Sequence, residues 1–185
     1  MDSIPVHALW LAQDDPKKNT AVLASKRGDL TLHKNVRSLP KRGVILEPLC
    51  GKVFGPEDHE LLTQRRGALV GLDCSWAHIE TSVESVMKRT RLQPRMLPLL
   101  LAANPVNWGK PGRLTTAEAL ATVLYLVGRR DQAADVLGAF RWGGRFFELN
   151  QEPLDAYASA TSSQQLVDLQ FDFFDIERPT EGDEP

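Results

Sequence analysis

The sequence predicts an α/β fold, with a mostly parallel N-terminal sheet and a helical C-terminal half. Short apolar runs alternate with helical patterns through the first half of the chain, and these runs are apolar at nearly every position. Such strands are typical of parallel sheets, because helices cover both faces of the sheet. Later segments have helical periodicity and helix caps. We expect an N-terminal α/β domain over residues 1–93, a helical domain over 94–174, and an acidic, disordered tail over 175–185.

Three apolar segments are the strand candidates. They are VHALWLA at 6–12, GVILEP at 43–48 and ALVGLDCS at 68–75. The second is a short strand that a proline closes. The third is an unbroken apolar run, which indicates a strand buried on both faces.

Helix start and stop signals lie between and after these strands. Thr20, before AVLASKRG, is the expected N-cap of the first helix, because its hydroxyl can accept a hydrogen bond from the first-turn amides. Thr115 or Thr116 caps a helix that Gly128 ends. The remaining helical segments are 55–67, 131–140, 152–160 and 162–174.

Composition restricts the classes of protein to which the chain can belong. No apolar run is long enough to cross a bilayer, and the N-terminus lacks the basic region of a signal peptide. Cys50 and Cys74 are the only cysteines and make no disulfide framework, which favours a reducing cytoplasm. Nothing in the sequence demands a dimer. We therefore expect a cytoplasmic monomer that contacts no membrane.

Charge is unevenly distributed along the chain. The net charge is −2, yet residues 172–185 hold six acids and one arginine, so the rest of the chain is mildly basic. This distribution is compatible with an RNA-binding protein, although charge alone favours an ordinary solvated surface.

Two segments are candidates for a functional site. Asp73 and Trp76 follow the third predicted strand, where ligands bind in open α/β sheets, although a capping aspartate and a core tryptophan would give the same pattern. The loop AANPVNWGKPGRL, at 102–114, combines rigid prolines with permissive glycines and leads into a helix N-terminus. That terminus can hold a carboxylate or phosphate, and a rigid connection is an equal alternative.

Other chemistries lack their motifs. The cysteines and four histidines have no metal-ligand spacing, and phosphate-loop and dinucleotide fingerprints are absent. Ser75 lacks the glycines of a nucleophile elbow, and Cys74 has no histidine at a telling spacing. We therefore expect no metal site and neither of these nucleophiles.

Several motifs in consistent order resemble the small-subunit ribosomal RNA aminocarboxypropyltransferases of archaea and eukaryotes. They are DDPKKNT (14–20), LDCSW (72–76), LPLLLAANPVNWG (97–109), RLTTAEALA (113–121), FRWGGRFFELN (140–150) and LDAYA (154–158). No single motif is specific, whereas DCSW, AANPVN and the TAEA helix start together are highly specific.

The resemblance implies a reaction and a fold. The family transfers the 3-amino-3-carboxypropyl group of S-adenosylmethionine, rather than its methyl group, to N3 of a uridine-derived base, often N1-methylpseudouridine. The implied partner is a small-subunit rRNA hairpin loop, or the pre-ribosomal small subunit, in ribosome biogenesis. The family's fold is similar to that of the SPOUT methyltransferases, with a deep trefoil knot, an exception to the usual absence of knots.

The resemblance also implies roles for single residues. A backbone contact of Leu72 meets the ribose, those of Leu97 and Gly112 meet the adenine, and Thr116 meets the aminocarboxypropyl end. Gly112 stands where the family usually has an aromatic residue. The implied cofactor-binding residues are Thr20, Leu72, Trp76, Leu97, Gly112 and Thr116.

The implied chemistry gives Asp73 and Trp76 their roles. The N3–H of the base is a weak acid, so a nearby carboxylate can take its proton, and Asp73 is the catalytic candidate. Trp76 can bury the methyl group and face the sulfonium charge. Basic residues that flank the motifs can pair with RNA phosphates. They are Lys17, Lys18, Lys88, Arg89, Arg91 and Arg113.

Three alternatives stay open at this point. A knotted RNA methyltransferase would use the same cofactor and transfer a different carbon. A non-catalytic ribosome-assembly factor would keep the fold without the reaction. A Rossmann-type N-methyltransferase is suggested by NPVN, but the glycine-rich loop after the first strand is missing.

Overall fold

The computed structural model describes residues 3–178, apart from the side chain of Trp76. Five strands form one sheet in the order β2-β1-β4-β3-β5, and every neighbouring pair is parallel. The strands are β1 (Val6–Trp10), β2 (Thr31–His33), β3 (Val44–Leu46), β4 (Leu69–Asp73) and β5 (Gln93–Arg95). The prediction of an α/β fold with a parallel sheet is confirmed.

The described residues contain eight α-helices. Three lie between the strands: α1 (Thr20–Arg27), α2 (His59–Thr63) and α3 (Ile79–Met87). Five follow the sheet: α4 (Thr116–Leu126), α5 (Arg130–Leu137), α6 (Gly143–Leu149), α7 (Gln151–Ser159) and α8 (Ser163–Phe173). The helical second half is therefore confirmed, whereas α3, α6 and the short strands β2 and β5 were not predicted.

The N-cap prediction for α1 was wrong by one residue. The side-chain oxygen of Asn19 accepts a hydrogen bond from the amide of Val22 at 2.9 Å, so Asn19 is the cap and Thr20 is the first helical residue. Both residue types cap helices well, and sequence alone does not choose between neighbours. The N-cap of α4 is Thr115 rather than Thr116, since Thr115 forms a reciprocal capping box with Glu118.

Apolar side chains cover both faces of the sheet. On one face Leu69 belongs to a large core that also contains Leu120 of α4 and Leu154 of α7. On the other face Val70 belongs to a smaller core with Val86 of α3. Burial on both sides explains the unbroken apolar strands. The larger core includes residues from both sides of residue 93, and the division into two domains stays a prediction.

Helix α4 lies against the central strand β4 and is buried almost all round. Gly71 permits this close packing, because a Cβ at that position would stand only 2.7 Å from Cγ2 of Thr116. The first turn of α4 is thereby held beside the carboxyl end of β4.

Within residues 3–178, no helix is long and apolar enough to cross a membrane. The predicted disordered tail is only partly described: residues 175–178 form neither helix nor strand, and residues 179–185 lie outside the described part.

Candidate active site

A cleft of about 310 Å³ opens where β3, β4 and β5 end. Its walls come from these strand ends, from the segment that follows β5, and from the start of α4. The lining is mainly apolar, as in most small-molecule sites, which measure roughly 300–1,000 Å³. The carboxyl edge of a parallel sheet is also where such folds bind ligands.

Four of the predicted cofactor-binding residues line this cleft together. Leu72 is on β4, Leu97 follows β5, Gly112 lies in the loop before α4, and Thr116 begins α4. The structure thus brings residues from four separate segments to one place.

Asp73 and Thr20 are two predicted residues that do not belong to that lining. Asp73 does not line the cleft, although its neighbours Leu72 and Cys74 do. Thr20 supports the start of α4, because its hydroxyl accepts a hydrogen bond from the amide of Ala117 at 3.3 Å. The side chain of Trp76 lies outside the described part of the structure, so its role stays a prediction.

The carboxylate of Asp73 is held by two side chains. The hydroxyl of Thr116 donates to Oδ1 at 2.6 Å, and Nδ2 of Asn19 donates to Oδ2 at 2.5 Å. Burial raises the pKa of Asp73 above its ordinary value, although both hydrogen bonds counteract the shift. Asn19 therefore has a second role beside capping α1, which the sequence did not indicate.

The N-terminus of α4 has fewer free amides than the sequence suggested. The amide of Ala117 donates to Thr20, and that of Glu118 donates to the hydroxyl of Thr115 at 3.3 Å. A ligand carboxylate at this position would therefore meet the helix dipole and the Thr116 hydroxyl rather than a row of free amides.

One buried carboxylate orders the loop that precedes α4. Glu118 is fully buried, and its Oε1 accepts hydrogen bonds from the amides of Ala103 and Asn104 at 2.7 and 3.1 Å. Its Oε2 accepts from Nδ2 of Asn104 at 2.9 Å and from the amide of Thr115 at 2.7 Å. The sequence indicated only that Glu118 lies in the first turn of a helix, and its role as the centre of the loop was missed.

Side chains from the C-terminal helices support the segment between β5 and this loop. Asn150 is fully buried and makes two hydrogen bonds to the backbone of Leu101, as a neighbouring strand would. The side-chain oxygen of Gln170 accepts a hydrogen bond from the amide of Leu99 at 2.7 Å. The hydroxyl of Tyr157 donates a hydrogen bond to the carbonyl of Leu99 at 3.0 Å. Asn150 and Tyr157 occur in the quoted FFELN and LDAYA motifs, whereas nothing in the sequence singled out Gln170.

The wall formed by β5 contains a buried cation. Arg95 is 7% exposed, lines the cleft, and pairs with Asp58 at 2.7 Å. Its Nε is buried and has no hydrogen-bond partner among the described residues. On the facing side, burial raises the pKa of the Cys74 thiol to about 11, so this cysteine stays protonated at neutral pH. No group of three metal-ligating side chains occurs within residues 3–178.

All six predicted RNA-binding residues are exposed, but they do not form one patch. Lys17 and Lys18 follow the carboxyl end of β1, on the edge of the sheet that holds the cleft. Lys88 and Arg89 follow α3, where Lys88 pairs with Glu84 at 2.6 Å. Arg91 precedes β5 and therefore lies at the opposite edge.

Comparison with known proteins supplies the family. Residues 44–174 match the family described as ribosome biogenesis protein, C-terminal. The chain is 40% identical over 159 residues to the 16S rRNA aminocarboxypropyltransferase of Methanothermobacter thermautotrophicus, covering 86% of this chain and 92% of that protein. The chain belongs to this family.

Further members agree with that assignment. The aminocarboxypropyltransferase of Methanopyrus kandleri is 41% identical, over 86% of this chain and 92% of its own length. The solved structure of the SAM-dependent rRNA:acp-transferase Tsr3 from Vulcanisaeta distributa matches with a TM-score of 0.77 at 34% identity. That match covers 91% of this chain and 96% of the other.

Proposed function

We propose that this chain transfers the 3-amino-3-carboxypropyl group of S-adenosylmethionine to a base of small-subunit rRNA during ribosome biogenesis. One observation carries the proposal: Leu72, Leu97, Gly112 and Thr116, the positions that match the family's cofactor contacts, all line one cleft. Membership of the 16S rRNA aminocarboxypropyltransferase family supports the same activity.

The residues of the cleft fit S-adenosylmethionine chemically. The apolar walls suit the adenine ring, and backbone groups at Leu97 and Gly112 can form hydrogen bonds with the edge of that ring. The unpartnered Nε of Arg95 is a buried donor on the cleft wall, and a ligand acceptor would satisfy it. Thr116 offers a hydroxyl for the aminocarboxypropyl end.

S-adenosylmethionine supplies an electrophilic carbon: as the base nitrogen bonds to the terminal carbon of the aminocarboxypropyl chain, the bond from that carbon to sulfur breaks, and its electron pair leaves with sulfur in 5′-methylthioadenosine. The chain's own residues must align the acceptor and take its proton. The acceptor that we propose is N3 of uridine or N1-methylpseudouridine in a hairpin loop, and the base would be splayed from the loop to reach the cleft.

Asp73 is the proposed acceptor of that proton. Its carboxylate lies one hydrogen bond behind the cleft wall, whereas Thr116 lines the cleft and donates to it at 2.6 Å. The Thr116 hydroxyl can therefore receive the proton of the base and pass its own to Asp73. A raised pKa makes Asp73 a stronger base than an exposed aspartate, and general base catalysis contributes about 10²–10⁴-fold.

The activity is tested with two labelled cofactors, one carrying label in the methyl carbon and one in the carboxyl carbon. Each is incubated with the protein and under-modified small-subunit rRNA. Carboxyl label in RNA, without methyl label, is the expected result. Methyl label alone would identify an RNA methyltransferase, and cofactor binding without transfer of either label to this RNA would contradict the proposal and favour an assembly factor.

The proton route is tested by a matched pair of variants at Thr116. Thr116→Ser keeps the hydroxyl and should keep most of the rate, whereas Thr116→Val keeps the shape and should lose roughly 10²-fold or more in kcat. Asp73→Asn should bind cofactor and lose a similar factor, with Asp131→Asn, on the exposed start of α5, as control. Unchanged kcat in Thr116→Val and Asp73→Asn would remove both residues from the route.

We propose, in addition, that the fold is SPOUT-like and contains a trefoil knot. In support, the chain between β5 and α4 lines the cleft beside the strand ends before α4 packs against the central strand. Pulling on both termini of the chain in a force experiment tests this proposal. A knotted chain stays shorter than the full extension of about 3.3–3.6 Å per residue, and full extension would exclude the knot. We also propose that the protein is a monomer and, because it modifies rRNA, that it is cytoplasmic.

A further inference from the structure

A second cleft lies at the opposite edge of the sheet, where β3, β4 and β5 begin. Five cations line it together with Leu39 and Pro40, and no carboxylate within residues 3–178 does so. All five are exposed. They are called the basic edge here and are Lys41, Arg42, Arg65, Arg66 and Arg91.

Backbone packing brings these cations together from three loops. The carbonyl of Ala68 accepts a hydrogen bond from the amide of Val44, and the carbonyl of Gly43 accepts one from Gln93, both at 2.9 Å. Gly43 has a φ of +120°, and a Cβ there would overlap the backbone of Ala68. Glycine at this position therefore lets the loop carrying Lys41 and Arg42 lie directly against the loop carrying Arg65 and Arg66.

The basic edge is not neutralised within the described protein. The ion pairs among residues 3–178 involve Arg27, Lys88, Arg95 and Arg130, and none involves a member of the basic edge. Like charges gathered in this way repel one another and oppose folding unless an anion compensates them. Among the side chains that the structure describes, the lining also contains no aromatic ring on which a base could stack. The chemistry thus fits phosphates and offers nothing that reads a base.

We infer that the basic edge binds backbone phosphates of rRNA at a place away from the modified nucleotide. The choice of RNA, rather than another polyanion, rests on the proposed function. Four of the five cations are arginines, whose planar forks bind phosphate through two parallel hydrogen bonds. Contacts of this kind position an RNA without specifying its sequence.

The distance between the two edges decides which RNA can reach both. β4 has five residues and connects the edges, and strands rise about 3.3 Å per residue, so the separation is roughly 17 Å. An acceptor base in the cofactor cleft therefore leaves the basic edge to a neighbouring stem or helix of the RNA. A short loop oligonucleotide occupies the cleft alone, whereas a longer rRNA fragment occupies both.

The test compares two double variants that remove equal charge. Arg42→Gln/Arg65→Gln alters the basic edge, and Arg141→Gln/Arg145→Gln alters two exposed arginines, one just before α6 and one within it. Binding to a long 16S rRNA fragment is measured over a range of salt concentrations. The basic-edge variant should lower the slope of log K against log salt by about two and raise Kd by at least about tenfold at 0.1 M salt. The control should change neither quantity.

Companion measurements separate this inference from the proposed function. Cofactor affinity, thermal unfolding and turnover of a short hairpin should match wild type in both variants, and Arg42→Lys/Arg65→Lys should retain most of the salt slope. An unchanged slope and Kd in the glutamine variant overturn the inference. The inference is also overturned if the variant loses affinity only for assembled small subunits and not for the rRNA fragment, because that result identifies an acidic protein partner. If RNA binding depends on the basic edge but no aminocarboxypropyl group is transferred, the proposed function is refuted and the inference about the basic edge stands.

Discussion

Replacing Glu118 by glutamine tests whether one carboxylate orders the loop at the cofactor cleft. Each carboxylate oxygen accepts two hydrogen bonds: Oε1 from Ala103 and Asn104, and Oε2 from Asn104 and Thr115. In glutamine, an NH2 group replaces one of the two oxygens. Two hydrogen bonds to that oxygen are then lost, and the NH2 group faces two N–H donors of the loop. Hydrogen bonds to charged groups contribute about 1.5–3 kcal/mol each, so Glu118→Gln should lower the free energy of unfolding by about 3–5 kcal/mol.

Urea unfolding, hydrogen exchange and cofactor titration measure the effect. We expect a lower unfolding midpoint, faster exchange of the Ala103 and Asn104 amides, and weaker binding of S-adenosylmethionine, because the loop contributes Gly112 to the cleft. Glu148→Gln makes the same chemical change at an exposed position of α6 and is the control. An unfolding free energy within about 0.5 kcal/mol of wild type, with the two amides still protected, would refute the reasoning.

Two further predictions follow from packing and burial. Gly71→Ala places a methyl group 2.7 Å from Cγ2 of Thr116. This variant should therefore lower the free energy of unfolding by about 1–3 kcal/mol and weaken cofactor binding in a titration. The control, Gly144→Ala, has open space around its Cβ and should have neither effect. Burial and the neighbouring His33 lower the pKa of His7 to about 4, below the unfolded value of about 6.5. The stability that the neutral His7 ring contributes is therefore present above pH 6.5 and lost as pH falls to 4. Because the ring is half-exposed, solvent screening limits this loss to roughly 1–2 kcal/mol, and His7→Gln should flatten the dependence of urea midpoints on pH over that range. If His7→Gln loses stability as steeply as wild type when the pH falls, groups other than His7 cause the pH dependence.

The central strands were predictable because they are buried on both faces, which leaves an unbroken apolar run in ALVGLDCS. β2 and β5 have three residues each and lie at the two edges of the sheet. Their pairing with neighbouring strands defines them, and a run of that length carries no periodicity.

The site was predictable only in part, for a different physical reason. Leu72, Leu97 and Gly112 are predicted to act through backbone groups, so their side chains give no chemical signal, and only the family resemblance indicated them. The contact of Asn19 with Asp73 joins residues that lie 54 positions apart. The basic edge is likewise assembled by strand register, since Val44 pairs with Leu69 in β4 and with Gln93 in β5.

The two hydrogen bonds that the backbone of Leu99 makes, one with Tyr157 and one with Gln170, have a consequence for the order of events during translation. The chain that forms the cofactor cleft is complete once α4 has been made, yet the segment at its wall takes its final backbone partners from α7 and α8. A nascent chain that has emerged only as far as residue 150 therefore has every residue of the cleft and lacks two of its supports. We therefore expect a chain that ends at residue 150 to bind S-adenosylmethionine more weakly than the full chain does.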